Sequence, residues 1–215
     1  MTNKLIGVFG ASGFGREVIP VVRQMFQEPE ADLVFIDDNP VADELNGYRV
    51  LSFETFCSLR YGKKLITISI ADSKIREKLN ARCADANIEV LQVVSPNSVI
   101  FDEVELGIGA IICPFVTLTS NITIGKSFHA NIYSYIAHDC VIGDFVTFAP
   151  NVKCNGNVVI EDHAYIGTGA ILRQGTPEQP LRIGKGAVIG MGAVVTKDVP
   201  AGVTVVGNPA RILKY

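Results

Sequence analysis

The sequence predicts a two-part chain, a small α/β domain with a parallel sheet followed by a triangular parallel β-solenoid. Three observations carry this. Apolar runs alternate with helical patterns up to about Ser95, small or apolar residues recur at every sixth position from Ile100 onward, and Gly107, Gly125 and Gly143 stand eighteen residues apart. Six residues turn an α-helix through about 600°, which would rotate an apolar stripe by roughly 120° per unit, so no helix can use this period. A solenoid with one flat side and one corner per six residues uses it throughout, with three sides per coil and glycine where the backbone turns tightly. The boundary falls near Pro96, giving domains 1–95 and 96–215.

In the first domain, residues 5–9 form a compact β-type run. The glycine-rich turn Gly10-Ala11-Ser12-Gly13-Phe14-Gly15 follows, and then an apolar-periodic helical stretch over 16–26. Pro20 lacks an N–H and is expected in or just after the first helical turn, or at a kink. Residues 33–36 make a second strand that ends in Asp37 and Asp38, and 65–70 make another. Ile75, Leu79, Cys83 and Ala86 then share one helical face behind an N-cap at Asp72 or Ser73, and 88–94 close the set. Alternating strands and helices imply a small parallel sheet with right-handed crossovers.

In the second domain, the sixth-position series runs unbroken from Ile100 to Leu172, and a parallel series two positions earlier runs from Ser98 to Ala170. The phase breaks once, at 173–182, where Gly175, Thr176, Pro177 and Pro180 supply loop chemistry, and resumes at Ile183, Ile189 and Val195. An excursion that leaves and rejoins a solenoid without disturbing it is a surface loop, commonly functional.

Composition narrows the function classes. A chain of 215 residues at 48% hydrophobic and 19% charged content is not disordered. A formal net charge of −3, spread evenly, leaves no basic surface for nucleic acid. No apolar run approaches the roughly 18 to 20 residues of a membrane span and the N-terminus lacks signal-peptide character, so a cytoplasmic protein without membrane insertion is expected. Five cysteines, an odd number without metal-type spacing, read as reduced and structural, with no metal site.

The glycine-rich turn can bring N–H groups and a helix N-terminus up to a phosphate. As G-x-x-G-x-G it departs from the dinucleotide fingerprint, although Asp37 lies about where that fingerprint wants a ribose-binding carboxylate. Asp37 and Asp38 can equally cap a turn, since Asn39-Pro40 follows. His138 stands between the apolar positions Ile136 and Cys140, but a corner separates those two, so strand alternation does not settle which way its ring points.

The hexapeptide pattern resembles the left-handed β-helix acyltransferases, and Val206-Gly207-Asn208-Pro209-Ala210-Arg211 is similar to the segment that ends their prism. The N-terminal turn followed by Asp37-Asp38 resembles the UDP-4-amino-sugar N-acetyltransferases of bacillosamine synthesis, and the sialic acid O-acetyltransferases are similar over the same length. The resemblance implies that the α/β domain holds the sugar nucleotide, that three chains associate as a homotrimer, and that acetyl-coenzyme A lies between neighbouring prisms. It places the substrate on Ser12, Gly13, Phe14, Asp37, Asp38 and Ala71, with Phe14 where the family usually has a polar residue. It places the donor on Thr147, Gly156, Thr168, Gly190, Met191 and Gly192, with Thr147 where the subgroup can have histidine. Lys185, Lys197, Arg211 and Lys214 are candidates for the donor's phosphates.

Ala137-His138-Asp139-Cys140 matches the family's catalytic dyad, which makes His138 the expected base and Asp139 the residue that orients it. The chemistry requires a base: an alkyl ammonium with a pKa near 10 is only about one part in a thousand neutral at pH 7, and only the neutral amine attacks a thioester. Cys140, at an inward phase, reads as core and not as nucleophile. The expected activity is acetyl transfer from acetyl-coenzyme A to the 4-amine of a UDP-linked amino-dideoxy sugar. The alternatives are acetylation of a sugar hydroxyl and a non-catalytic sugar-nucleotide-binding scaffold.

Overall fold

The structure, a computed structural model, describes residues 3–26 and 31–214. The chain divides into two compact units, Met1–Pro96 and Asn97–Tyr215. The first contains β1 (Lys4–Phe9), α1 (Gly13–Met25), β2 (Asp32–Ile36), β3 (Glu44–Leu45), β4 (Tyr48–Leu51), α2 (Phe53–Ser58), β5 (Lys63–Ile68), α3 (Ser73–Asp85) and β6 (Glu89–Val90). The sheet order is β3-β4-β2-β1-β5-β6, and all pairings are parallel except the β3–β4 hairpin. Leu5, Val34, Ile36, Phe56 and Ile66 form its core at 3% exposure or less, each worth roughly 1.5–3 kcal/mol of burial. The hairpin and α2 are too short to impose a readable period, which is why the sequence does not announce them.

Two helices differ from expectation. Pro20 lies inside α1, beyond its first turn, so the Arg16 carbonyl lacks its helical donor. The helix continues because Val18, Ile19, Val21 and Val22 are buried around it. In α3 the N-cap is Asp72, whose carboxylate accepts the N–H groups of Lys74 and Ile75. Ile75, expected on the buried face, is 48% exposed, and Arg76 is the fully buried residue instead. Its guanidinium donates to the carbonyls of Ile70 and Ala71 at 2.7 and 3.2 Å, satisfying backbone acceptors just past β5 that an isoleucine would leave without a donor. Burial lowers the Arg76 pKa to about 10 against the opposing charge of Asp72, which leaves it protonated at neutral pH.

The second unit is a stack of short strands in parallel sheets. Ile112 pairs with Ala130, Ala130 with Phe148, and Phe148 with Ile166, each eighteen residues on. Both apolar series point inward: Ile136, Cys154, Ile160 and Leu172 from one, and Val116, Cys140, Val152 and Ala170 from the other, are at most 1% exposed. The first coil departs from this, with Ile100 at 37%, because a terminal coil has a stacked neighbour on one side only. Ile160 pairs with Ile183, so the excursion adds five residues to one coil. Leu181–Ile183 is already strand, which narrows the loop to 173–180.

Glycine's part in the corners also differs from expectation. Left-handed backbone occurs at Asn121, Asp139 and Asn157 on one corner, at Ser127, Phe145 and His163 on a second, and at Phe115, Tyr133 and Asn151 on the third. Gly107, Gly125 and Gly143 are not in that region. A Cβ on Gly125 would lie 2.7 Å from both the Asp144 nitrogen and the Gly143 carbonyl carbon, so close stacking of the next coil, not turn geometry, demands glycine there. At the far end Thr204–Val206 pairs antiparallel with Arg211–Ile212, a reversal that ends the parallel stack.

Candidate functional site

Tyr135–Ile136 and Cys140–Ile142 belong to different sheets, so 137–139 is a corner and the His138 side chain stands outward there, 47% exposed. Asp139 adopts φ 59°, a left-handed conformation that aspartate tolerates better than most residues. Its Oδ2 lies 2.7 Å from Nδ1 of His138. A carboxylate oxygen can only accept, so Nδ1 carries a proton, and in the neutral ring Nε2 carries the lone pair. Cys140 is fully buried, and its thiol donates to the Asn155 carbonyl at 3.3 Å, which makes it a packed core residue.

One coil further along the same corner is Gly156. The three atoms nearest a Cβ built there all belong to the imidazole: Cε1 at 2.6 Å, Nε2 at 2.7 Å and Cδ2 at 3.1 Å. The ring therefore lies flat against the Gly156 backbone, in space that any side chain would fill. Nothing in a single sequence marks this glycine as the bed of a histidine eighteen residues earlier, except the repeat length itself.

The other residues expected to hold the donor sit elsewhere on the prism. Thr168 and Gly190-Met191-Gly192 stack at the next corner, where the Gly192 N–H donates to the Thr168 carbonyl at 2.8 Å and Met191 is 83% exposed. Thr147 is buried on a face, in Thr147–Phe148. Within one chain, then, His138 shares a corner with Gly156 but not with Thr168 or the 190–192 turn. Of the lysines, Lys185 is engaged with Asp162 at 3.1 Å, whereas Lys197, Arg211 and Lys214 are exposed.

In the first unit the glycine-rich turn follows β1. Gly10 has φ 113°, and a Cβ on Gly15 would lie 1.8 Å from the Gly10 carbonyl oxygen, so the turn can close only with glycine at both positions. Ser12 is the N-cap of α1 but makes no side-chain cap hydrogen bond, and a Cβ on Gly13 would meet nothing within 4 Å. An uncommitted hydroxyl, open space and a helix N-terminus together suit an anion. Ser69, which the sequence reading did not single out, secures the turn: its buried hydroxyl donates to the Phe9 carbonyl at 3.0 Å.

The two aspartates after β2 are engaged within the fold. Asp37 accepts the Asn39 N–H at 3.0 Å, and Asp38 accepts the Phe53 N–H at 2.9 Å while Arg82 bonds its other oxygen. Partial burial pushes the Asp38 carboxyl up, but the Arg82 hydrogen bond, the Phe53 N–H and the Arg82 charge together hold it below its ordinary value. The guanidinium of Arg82 also lies 4.2 Å over the Phe53 ring. Capping thus accounts for part of what Asp37 and Asp38 do. Ala71 is exposed past β5, with its carbonyl held by Arg76.

A triangular parallel prism with an imidazole–carboxylate pair standing out from one edge is the architecture of the hexapeptide-repeat acyltransferases. The comparisons are specific. The PglD N-terminal domain family matches residues 5–83. A GDP-perosamine N-acetyltransferase of Escherichia coli O157:H7 is 54% identical over 98% of this chain and 96% of its own. WeeI from Acinetobacter baumannii AYE superposes with a TM-score of 0.96 at 63% identity, covering 98% of this chain and 100% of that one. The acetyltransferase domain of PglB from Neisseria gonorrhoeae FA1090, solved in complex with acetyl coenzyme A, gives 0.89 at 27% identity, covering 99% and 100%. The chain belongs to the sugar N-acetyltransferase family of hexapeptide-repeat proteins, and its fold is a Rossmann-like α/β domain followed by a left-handed β-helix. Among the described residues no helix is long and apolar enough to cross a membrane, and no three potential ligands cluster around a metal position.

Proposed function

We propose that this acetyltransferase moves the acetyl group of acetyl-coenzyme A onto the 4-amine of a UDP-linked 4-amino-dideoxy sugar, with His138 as the base. The observation that carries the chemistry is the half-exposed imidazole whose Nδ1–H is tied to Asp139, which leaves Nε2 as the nitrogen able to accept a proton. The amine nitrogen attacks the thioester carbon, Nε2 takes the proton it sheds, and the C–S bond breaks. The departing thiolate then takes that proton, so the ring returns neutral and no covalent enzyme intermediate is needed. In the first unit, the open turn at Ser12, Gly13 and Phe14 is the proposed seat of the nucleotide phosphates, with Asp37, Asp38 and Ala71 at its rim.

The UDP reading rests on the PglD-type first unit together with the resemblance to bacillosamine enzymes. A second reading, GDP-perosamine as acceptor, is favoured by the 54% identity to a protein of that name over nearly its whole length. Parallel assays of thiol release with both acceptors, with mass detection of product, separate them. The expected result is a kcat/KM at least about tenfold higher for the UDP sugar, a difference of roughly 1.4 kcal/mol in transition-state binding. The reverse ratio assigns GDP-perosamine. A product whose acetyl group is released by neutral hydroxylamine is an ester, and that result makes the acceptor a hydroxyl; no release with any acceptor leaves only a binding scaffold.

The position of the donor residues bears on assembly. His138 and the Thr168 and 190–192 positions lie at different corners of one prism, which supports the reading that a donor touching both lies between two copies. A homotrimer, in which each edge faces a neighbour, brings the two corners together three times over. Mixing a His138→Ala chain with a Gly192→Trp chain, each inactive alone, should restore up to about a quarter or a third of activity, because some grooves regain both intact corners. Absence of any restored activity after verified subunit exchange rejects the shared site.

A further inference from the structure

We propose that Phe115 and Tyr133 of one copy form the platform on which the acceptor's sugar ring lies against His138 of the next copy. The inference deepens the acetyl-transfer reading and rests on it, and on the groove shared between copies, for the identity of the occupant. The two rings stack on the outside of the prism with centroids 5.0 Å apart and planes 9° from parallel, at 54% and 57% exposure. Ile132, next in the chain to Tyr133, is 38% exposed. Neither burial nor the turn calls for aromatic side chains here. Both residues have left-handed backbone, φ 64° and 61°, which bulky side chains rarely adopt, and Asn151 fills the same position one coil on. Contiguous apolar surface left in water marks a binding surface.

Its place on the prism makes the sugar the occupant. The Tyr133 N–H donates to the Pro114 carbonyl at 3.4 Å, Asn151 to Ile132 at 2.9 Å, Gly169 to Pro150 at 3.0 Å and Gly192 to Thr168 at 2.8 Å, so the two rings stand on the corner that carries the proposed donor positions, toward its N-terminal end. At about 4.8 Å per coil, Tyr133 is within about 2 Å of the level of His138, Phe115 is about 5 Å below Tyr133, and Thr168 is roughly 8 Å above the imidazole, counting toward the C-terminal coils as upward. A donor running from Thr168 and the 190–192 turn to a thioester at His138 fills the groove above the ring. The amine must then enter from below, where the aromatic pair lies. Within one chain, Tyr133 and His138 stand at opposite ends of a prism side, on the order of 15 Å apart along extended backbone, too far for one sugar ring to touch both. Across the groove they face each other at one level. A dideoxy amino sugar has the matching chemistry: its missing hydroxyls leave C–H and methyl surface to lie flat on an aromatic face, while the phenol hydroxyl meets a polar group that remains.

The test uses the full-length protein with Phe115→Asn/Tyr133→Asn, which removes both rings and suits the left-handed backbone, and with Tyr133→Phe, which keeps the stack. The double variant should raise KM for a UDP-linked 4-amino-4,6-dideoxy sugar about 10- to 50-fold with KM for acetyl-coenzyme A within about twofold, whereas Tyr133→Phe should stay within about threefold of wild type. The advantage of that acceptor over its 6-hydroxyl counterpart should fall on the order of tenfold, because the platform is what tells methyl from hydroxymethyl. Calorimetric titration reads the same contrast without turnover: the double variant should lose affinity for the UDP amino sugar and keep it for UDP alone. Mixing the double variant with His138→Ala should restore up to about a quarter or a third of wild-type kcat/KM after subunit exchange, and no recovery overturns the placement across the groove. Unchanged acceptor KM and affinity, equal weakening of UDP, or an assembly that dissociates on sedimentation and so marks the rings as an interface between copies, overturns the proposal. Wild-type protein that releases no thiol with any acceptor overturns acetyl transfer, while the titrations still decide the platform.

Discussion

Replacing His138 with alanine is expected to lower kcat by about 10² to 10⁴-fold, the usual worth of a positioned base, with little change in KM for either substrate. The split follows from the proposed role of the ring, which is to meet the amine proton as the carbon–nitrogen bond forms and not to hold the ground-state ligand. The side chain is about half exposed at a corner, so its removal leaves no cavity in the prism, and thermal unfolding should be nearly unchanged. Asp139→Asn should cost less, because the amide can still contact Nδ1 and the left-handed backbone accepts asparagine as readily as aspartate. A folded His138→Ala protein that keeps kcat within tenfold of wild type at neutral pH would remove the imidazole from the mechanism.

Gly156→Ala should be nearly as damaging to turnover, on the order of 10²-fold in kcat, while leaving the fold intact. The added methyl would sit 2.6 Å from Cε1 and 2.7 Å from Nε2 of His138, closer than any carbon can rest. The listener to that clash is a side chain half in solvent, so the ring swings away and the backbone stays. A misplacement of about 1 Å at a reacting atom is enough for a loss of this size. Gly156 has no left-handed φ, so alanine brings no conformational strain of its own. Gly125→Ala is the matching control, because there the new methyl meets backbone of the next coil at 2.7 Å, and it should lower the melting temperature instead. If Gly156→Ala retains wild-type kcat, the flat seat of the imidazole is incidental.

The architecture was largely legible because a solenoid repeats one local rule. Each coil buries the same two positions per side, so Ile136, Cys154 and Leu172 declare themselves by phase alone, and the break after Leu172 declares the excursion. The first unit was less legible wherever a backbone group outside a regular element needed a partner. Arg76 is buried in place of Ile75 because two carbonyls past β5 demand donors, and Ser69 is spent on the carbonyl of Phe9. Periodicity measures apolar burial and is blind to such polar needs.

By itself, the sequence determined the repeat, the division of the chain and the residue types able to move a proton and cradle a phosphate, since these depend on local spacing and side-chain chemistry. The tertiary structure alone decided that His138 faces outward, that Gly156 lies beneath it, that Asp37 and Asp38 are partly engaged in capping, and that Thr168 and the 190–192 turn lie at another corner. The physical reason is stacking. Residues eighteen apart become neighbours only when successive coils lie on one another, and which side of a corner a side chain takes depends on backbone dihedrals that alternation along a strand cannot supply.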